Sequence, residues 1–227
     1  VDANAQPSWL GAAAPSVFRL LDHGALDAPF QVAPLNSTAV LFAPPVLDSA
    51  GRIYLAGGFG SVNGTARINI ARLLPTGELD DYAAPTTLPA GFTSTHARGI
   101  TFQSDGRAVI VGDFRYTGRG TVGDRIQAIR LGVANGALDT SYGMPLMSEI
   151  GFNPAVAVRA RYAVPQAGDA LVVVSDRLVR LTAAGVLDPT FVSRAFDRET
   201  FWLSQGADGR LFVPDIAGVS GKVALQS

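Results

Sequence analysis

The sequence Ile70-Ala71-Arg72-Leu73, followed across a short turn by Gly77-Glu78-Leu79-Asp80, recurs along the chain. Val17-Phe18-Arg19-Leu20 leads to Gly24-Ala25-Leu26-Asp27, and Ala128-Ile129-Arg130-Leu131 leads to Gly136-Ala137-Leu138-Asp139. Leu178-Val179-Arg180-Leu181 leads in the same way to Gly185-Val186-Leu187-Asp188. The four arginines recur with a mean step of roughly 54 residues, a period that belongs to propellers and other arrays of one supersecondary unit. A second element precedes the later copies. It reads Gly51-Arg52-Ile53-Tyr54-Leu55, Gly106-Arg107-Ala108-Val109-Ile110-Val111, Gly168-Asp169-Ala170-Leu171-Val172-Val173 and, near the end, Gly209-Arg210-Leu211-Phe212-Val213.

Each period holds short apolar stretches of strand length between Gly, Asp, Asn and Pro turns, and no window shows a helical stripe. A further stretch precedes each glycine element, as Arg98 to Gln103 does before Gly106. The unit is therefore four strands, A to D. Four antiparallel strands repeated at this period are the pattern of a β-propeller blade. Asp22-His23-Gly24, Pro75-Thr76-Gly77 and Ala183-Ala184-Gly185 join strands C and D. Each reads as a three-residue hairpin turn ending in a left-handed glycine. Pairing outward from these turns sets Leu20 opposite Leu26, Leu73 opposite Leu79 and Leu181 opposite Leu187. The next pairs are Arg19–Asp27, Arg72–Asp80 and Arg180–Asp188, which makes them cross-strand ion pairs of structural value at the blade edge.

The stretch Asp48 to Ala83 resembles the bacterial delta-60 repeat, a β-propeller repeat of unassigned function found in large secreted or cell-surface proteins. The resemblance is carried by Gly51 to Phe59, Ser61-Val62-Asn63-Gly64, Asn69 to Leu73, Gly77 and Leu79-Asp80. The second copy keeps Asp105-Gly106-Arg107, Gly112-Asp113-Phe114 and Leu138 to Tyr142; the third lacks the Val-Asn-Gly loop. The resemblance implies the propeller fold and a location outside the cytoplasm of a bacterium, in the extracellular space or on the cell surface. It implies no catalytic residues.

The expected fold is thus all-β, a β-propeller of four-stranded antiparallel blades. Residues 1–15 read as an N-terminal strap or remnant and 16–227 as one propeller domain. The N-terminal stretch supplies strands C and D, and the C-terminal stretch supplies A and B. Joined, they give four blades, with five blades or an arc of a larger propeller as the alternatives. Val17–Leu20 and Val223–Leu225 compete for one strand C, which leaves exchange of strands between copies open.

Composition bounds the function. With 227 residues, 48% of them hydrophobic and 16% charged, the chain can bury a sizeable core and is not of the disordered class. Eighteen basic and nineteen acidic residues leave a net charge of −1, so no long-range field recruits nucleic acid. No apolar run is long enough to insert in a membrane as a helix. The absence of cysteine and the single lysine, Lys222, remove thiol chemistry and nearly all Schiff-base or P-loop chemistry.

Within a blade the A–B and C–D turns lie at one end and the B–C and D–A connections at the other. The first set is tight and the second long, spanning 81–97, 114–125, 140–157 and 189–199. Binding residues concentrate on such solvated loops. The candidate ligand contacts there are Asp113, Tyr116, Arg119, Tyr142, Tyr82 and His96. Exposed aromatics beside Arg and Asp are what a sugar site needs, since rings stack on C–H faces and planar polar groups bind hydroxyls. Asp113, Asp176 and Asp215 fall at nearly equivalent places and are the residue type for Ca²⁺, with local turn capping as the competing reading. No other cofactor is implied. No G-x-S-x-G, H-E-x-x-H or phosphate loop is present. Glu149, Asp197 and Glu199 carry no spacing that selects a glycosidase pair. The sequence favours a non-catalytic recognition module whose partner is a glycan or another surface protein. A structural scaffold and a carbohydrate-active enzyme are the alternatives.

Overall fold

The computed structural model describes residues 16–30, 33–36, 39–82, 92–116, 126–146, 149, 160, 162–174, 177–195 and 203–213. Among them the chain is all-β, apart from one 3-10 turn at Ala167–Asp169. The expected strap at 1–15 lies outside these residues, as do Arg119, Asp176, Asp215 and the C-terminal stretch containing Val223–Leu225.

The strands fall into successive units. β1 (Ser16–Val17) and β2 (Ala33–Pro34) pair in the first. In the second, β3 (Val40–Leu41) and β4 (Val46–Leu47) form an interrupted strand A against β5 (Ile53–Gly58). The β6–β7 hairpin (Ser61–Val62, Thr65–Ala66) follows, and then β8 (Ile70–Leu73) pairs with β5. The third unit holds β9 (Phe92–Phe102), β10 (Ala108–Tyr116) and β11 (Ile126–Leu131) in the order β11-β10-β9. The fourth holds β12 (Tyr162–Pro165), β13 (Leu171–Val174), β14 (Arg177–Leu181) and β15 (Arg194–Ala195) in chain order. β16 (Ser204–Gln205) and β17 (Leu211–Phe212) begin a fifth.

The turn chemistry sets the register as expected. Leu20 bridges Leu26, Leu73 bridges Leu79, Leu131 bridges Leu138 and Leu181 bridges Leu187. Gly24, Gly77, Gly136 and Gly185 close these turns at φ of 86°, 93°, 70° and 77°, where a side chain would be strained. Successive residues of a strand face opposite sides, and here both sides are buried. Val17, Phe30 and Leu35 pack with Leu55 and Leu73 of the second unit. Tyr54 and Ile70 of that unit pack with Ile110, Phe114 and Leu131 of the third. Val109 and Val111, the alternate residues of β10, pack with Leu171, Val173 and Val179 of the fourth. The second and third sheets are thus layers clasped between neighbours, which is why β5 and β11 are buried at consecutive positions.

Two expectations change. Residues 92–97 and 114–116, read as loop, extend β9 and β10. The run Phe92-Thr93-Ser94-Thr95 faces Phe114-Arg115-Tyr116 across the ladder, and these residue types suit a pleated surface. In addition, β1 pairs with β2 and β17 with β16, while no ladder among the described residues joins β1 to β17. The expected joining of the chain ends is therefore not seen there.

Candidate functional site

The repeated arginine does more than pair across its own hairpin. Arg72 Nε donates to Asp80 at 2.7 Å, its Nη1 donates to the Val133 carbonyl at 2.9 Å, and its guanidinium lies 4.0 Å from the Tyr82 ring centroid. Arg130 repeats the arrangement, with Asp139 at 2.9 Å, the Ala183 carbonyl at 3.0 Å and Tyr142 at 4.9 Å. Arg19 does the same with Asp27 at 2.6 Å, the Pro75 carbonyl at 2.7 Å and Phe30 at 4.9 Å. In every case the carbonyl belongs to the first residue of the C–D turn in the following unit. These are joints between units rather than pairs at a blade edge. Gln103 adds to the third joint by accepting from Arg130 and donating to the Ala183 carbonyl. Ser104 donates to Asp169 of the next A–B turn. The tight-turn end is therefore knitted shut.

The expected aromatics divide accordingly. Tyr82 and Tyr142 are buried, not exposed on loops. Each ring lies against the arginine of its own unit, and a Cβ on Gly185 of the next unit would press on the ring of Tyr142. Burial pushes both hydroxyls above the usual tyrosine range. The signal for this was in the sequence. Phe30, Tyr82, Tyr142 and Phe191 stand two or three residues after the repeated Asp, an offset that marks a member of the repeat.

The other end gathers a different set. His96 and Asp113 are directly opposed on β9 and β10, and Asp113 is buried there. The ladder shifts register between Val111 and Gly112, so Arg98 is the additional residue of a bulge in strand A. A Cβ on Gly112 would run into the His96 carbonyl, which explains why glycine stands there. Gly57 stands in the same relation to the Val40 carbonyl, and Phe42 begins the interruption of strand A in the second unit. The two irregular inner strands meet: the Arg98 guanidinium lies over the Phe42 ring at 4.8 Å, and the His96 ring is 6.2 Å from it. Phe42 nonetheless keeps 38% of its surface exposed. Sequence reasoning missed Phe42 and Arg98, because a bulge is a property of pairing and leaves no local pattern. The backbone of Tyr116 lies opposite Phe92. Of the named candidates, then, the structure brings together His96 and Asp113 and sets Tyr82 and Tyr142 elsewhere.

The cluster offers a cation, an imidazole, a carboxylate and an exposed ring. Among the described residues, no group of three or more acidic or histidine side chains could hold a metal ion.

Comparison with known proteins agrees with the fold. The model of a family described as a domain of unknown function (DUF5122) beta-propeller matches residues 51–81 and 167–191, so the chain carries β-propeller repeats. No curated protein matches the sequence. Among solved structures, a protein of unknown function from Bacteroides caccae is similar with a TM-score of 0.53 at 12% identity, over 87% of this chain and 60% of that one. An inactive variant of virginiamycin B lyase from Staphylococcus aureus, solved with quinupristin, gives 0.49 at 13% identity, over 88% and 62%. A gluconolactonase from Xanthomonas campestris gives 0.45 at 12% identity, over 81% and 61%. The chain thus spans about three fifths of the length of these structures.

Proposed function

We propose that the domain is a delta-60-type, non-catalytic recognition module of a secreted or cell-surface bacterial protein, and that it contacts carbohydrate through Phe42 and His96, with the buried Arg98 and Asp113 holding them in place. The observation that carries this reading is Phe42. An aromatic ring held by an arginine at a bulge, yet left more than a third exposed, is a platform for the C–H face of a sugar. Neighbouring polar groups would fix the hydroxyls. The test is a glycan array on the chain, followed by titration of the best binder against Phe42→Ala. The expected result is about tenfold weaker binding, the size of one lost stacking contact, with the melting temperature close to wild type. Binding unchanged by Phe42→Ala overturns the site, and an array without any binder overturns the carbohydrate reading. The knitted tight-turn end favours a second reading, a scaffold whose units bind only one another, and an empty array would leave that one standing.

A further inference from the structure

The chain contains two Asn-Gly pairs, Asn63-Gly64 and Asn135-Gly136, and the structure holds them in opposite ways. Asn63 and Gly64 form the two-residue turn of the β6–β7 hairpin, where Val62 faces Thr65. Their φ values are 48° and 74°, the two left-handed residues that a type I′ turn needs. Both are exposed, and no atom beyond the chain neighbours lies within 4 Å of where a Gly64 Cβ would stand. Among the described residues, the Gly64 amide donates to no carbonyl and the Asn63 side chain makes no hydrogen bond. At the second pair, Asn135 Oδ1 accepts from the Ala137 amide at 3.0 Å. The Gly136 amide donates to the Gly132 carbonyl at 3.1 Å, and Gly136 is buried.

An asparagine followed by glycine carries its own nucleophile, because the glycine amide nitrogen can close a five-membered ring on the side-chain carbonyl carbon. We propose that Asn63 is a self-modifying site that converts to isoaspartate in the folded protein, whereas Asn135 is protected. The Gly64 nitrogen loses its proton and bonds to Asn63 Cγ. The bond from Cγ to Nδ2 breaks, and that nitrogen leaves as ammonia. Water then opens the succinimide: attack at the Asn63 α-carbonyl routes the main chain through Cβ and Cγ as isoaspartate, and attack at Cγ gives aspartate. The net change is one water consumed and one ammonia released, so nothing is oxidised or reduced. Ring closure needs the turn to open, and a hairpin of two residue pairs opens readily. At Asn135 and Gly136 the nucleophile and the side chain that must receive it are both held in other bonds.

The product matters because this hairpin is fastened to the first unit. The Asn63 amide donates to the Pro34 carbonyl at 2.7 Å, Val62 bridges Leu35, and Asn36 Oδ1 accepts from the Gly60 amide at 2.7 Å. Isoaspartate adds a main-chain carbon to a loop whose register admits two residues, and it adds a carboxylate. The modified hairpin therefore releases β2, which makes Asn63 a timer for the hold between the first and second units.

The experiment ages the folded chain in mildly alkaline buffer, digests it at arginine and measures isoaspartate in each peptide by mass spectrometry and chromatography. The peptide containing Asn63 should gain isoaspartate about tenfold faster, or more, than the peptide containing Asn135. In denaturant the two rates should converge, because only the fold separates the sites. Amide hydrogen exchange of the aged protein should rise at Gly60, Ser61 and Asn63. Asn63→Gln, whose side chain cannot close the same ring, should exchange after ageing as it did before. Equal rates at the two asparagines in the folded chain overturn the site. Aged protein that carries isoaspartate at position 63 yet exchanges like fresh protein overturns the timer, as does equal loosening in aged Asn63→Gln.

Discussion

Asp139 shows what one repeated residue does. Its Oδ1 accepts from the Ser141 hydroxyl and amide, and its Oδ2 accepts from Arg107 and Arg130. The Ser141 hydroxyl is the foremost cause holding its pKa down to about 2, from 3.8 for the free side chain, with the two guanidiniums adding to it. The folded value is the lower one, so the carboxylate stabilises the fold fully above pH ~4 and loses that contribution as pH falls toward 2. Asp188, held down chiefly by Thr190, and Asp105, held down by Arg107, act in the same direction. Asp139→Asn should therefore lower the melting temperature at neutral pH and flatten its decline between pH 4 and 2. Melting curves for the two proteins that stay parallel throughout that window would contradict this. The ion pair itself was legible at Arg19, Arg72 and Arg180, where turn length fixes which residues face each other, and not at Arg130, whose turn is one residue longer. Its burial was not: whether Arg72 and Arg130 face solvent depends on the neighbouring unit, which no local pattern encodes.

The glycine-terminated hairpins made strands C and D readable, and their register follows from backbone geometry alone. Strand A resisted. Gly57 and Gly112 could be seen to occupy equivalent places, but not that each faces a carbonyl of an irregular inner strand. His96 and Asp113 were named for their chemistry, whereas the place of Phe42 and Arg98 beside them needed the pairing itself. Gly112→Ala tests the bulge, since its Cβ would meet the backbone of His96 and Ala97 rather than a yielding side chain. The expected cost is about 3 kcal/mol, the upper range for overpacking, and it should displace His96 and weaken ligand binding as well. Gly132→Ala is the control. Its Cβ would meet nothing closer than 3.6 Å, so denaturant midpoints should separate the two variants clearly. Equal midpoints would remove the bulge from the account.

At the scale of the whole molecule, stability rests on how sheets are joined, because each buries its two faces only against its neighbours. Hydrophobic layers supply most of that association and are not directional. Arg19, Arg72 and Arg130 add register, since each guanidinium reaches a carboxylate of its own unit and a carbonyl of the next. The same motif should nevertheless differ in worth along the chain. The Arg72 and Arg130 side chains are 4% and 7% exposed, and that of Arg19 is 47% exposed. Removing the buried Arg130 guanidinium leaves the Gln103 Oε1 without its donor and the Ala183 carbonyl with Gln103 alone, at about 2–4 kcal/mol. An exposed pair contributes under about 1 kcal/mol, because water and salt screen it. Arg130→Ala and Arg72→Ala should therefore lower the unfolding free energy severalfold more than Arg19→Ala, and their denaturation should broaden as coupling between units weakens. Adding salt should shrink the Arg19 effect and leave the other two nearly unchanged. Equal losses at all three positions would mean that position in the repeat, rather than burial at the joint, sets the value of the clamp.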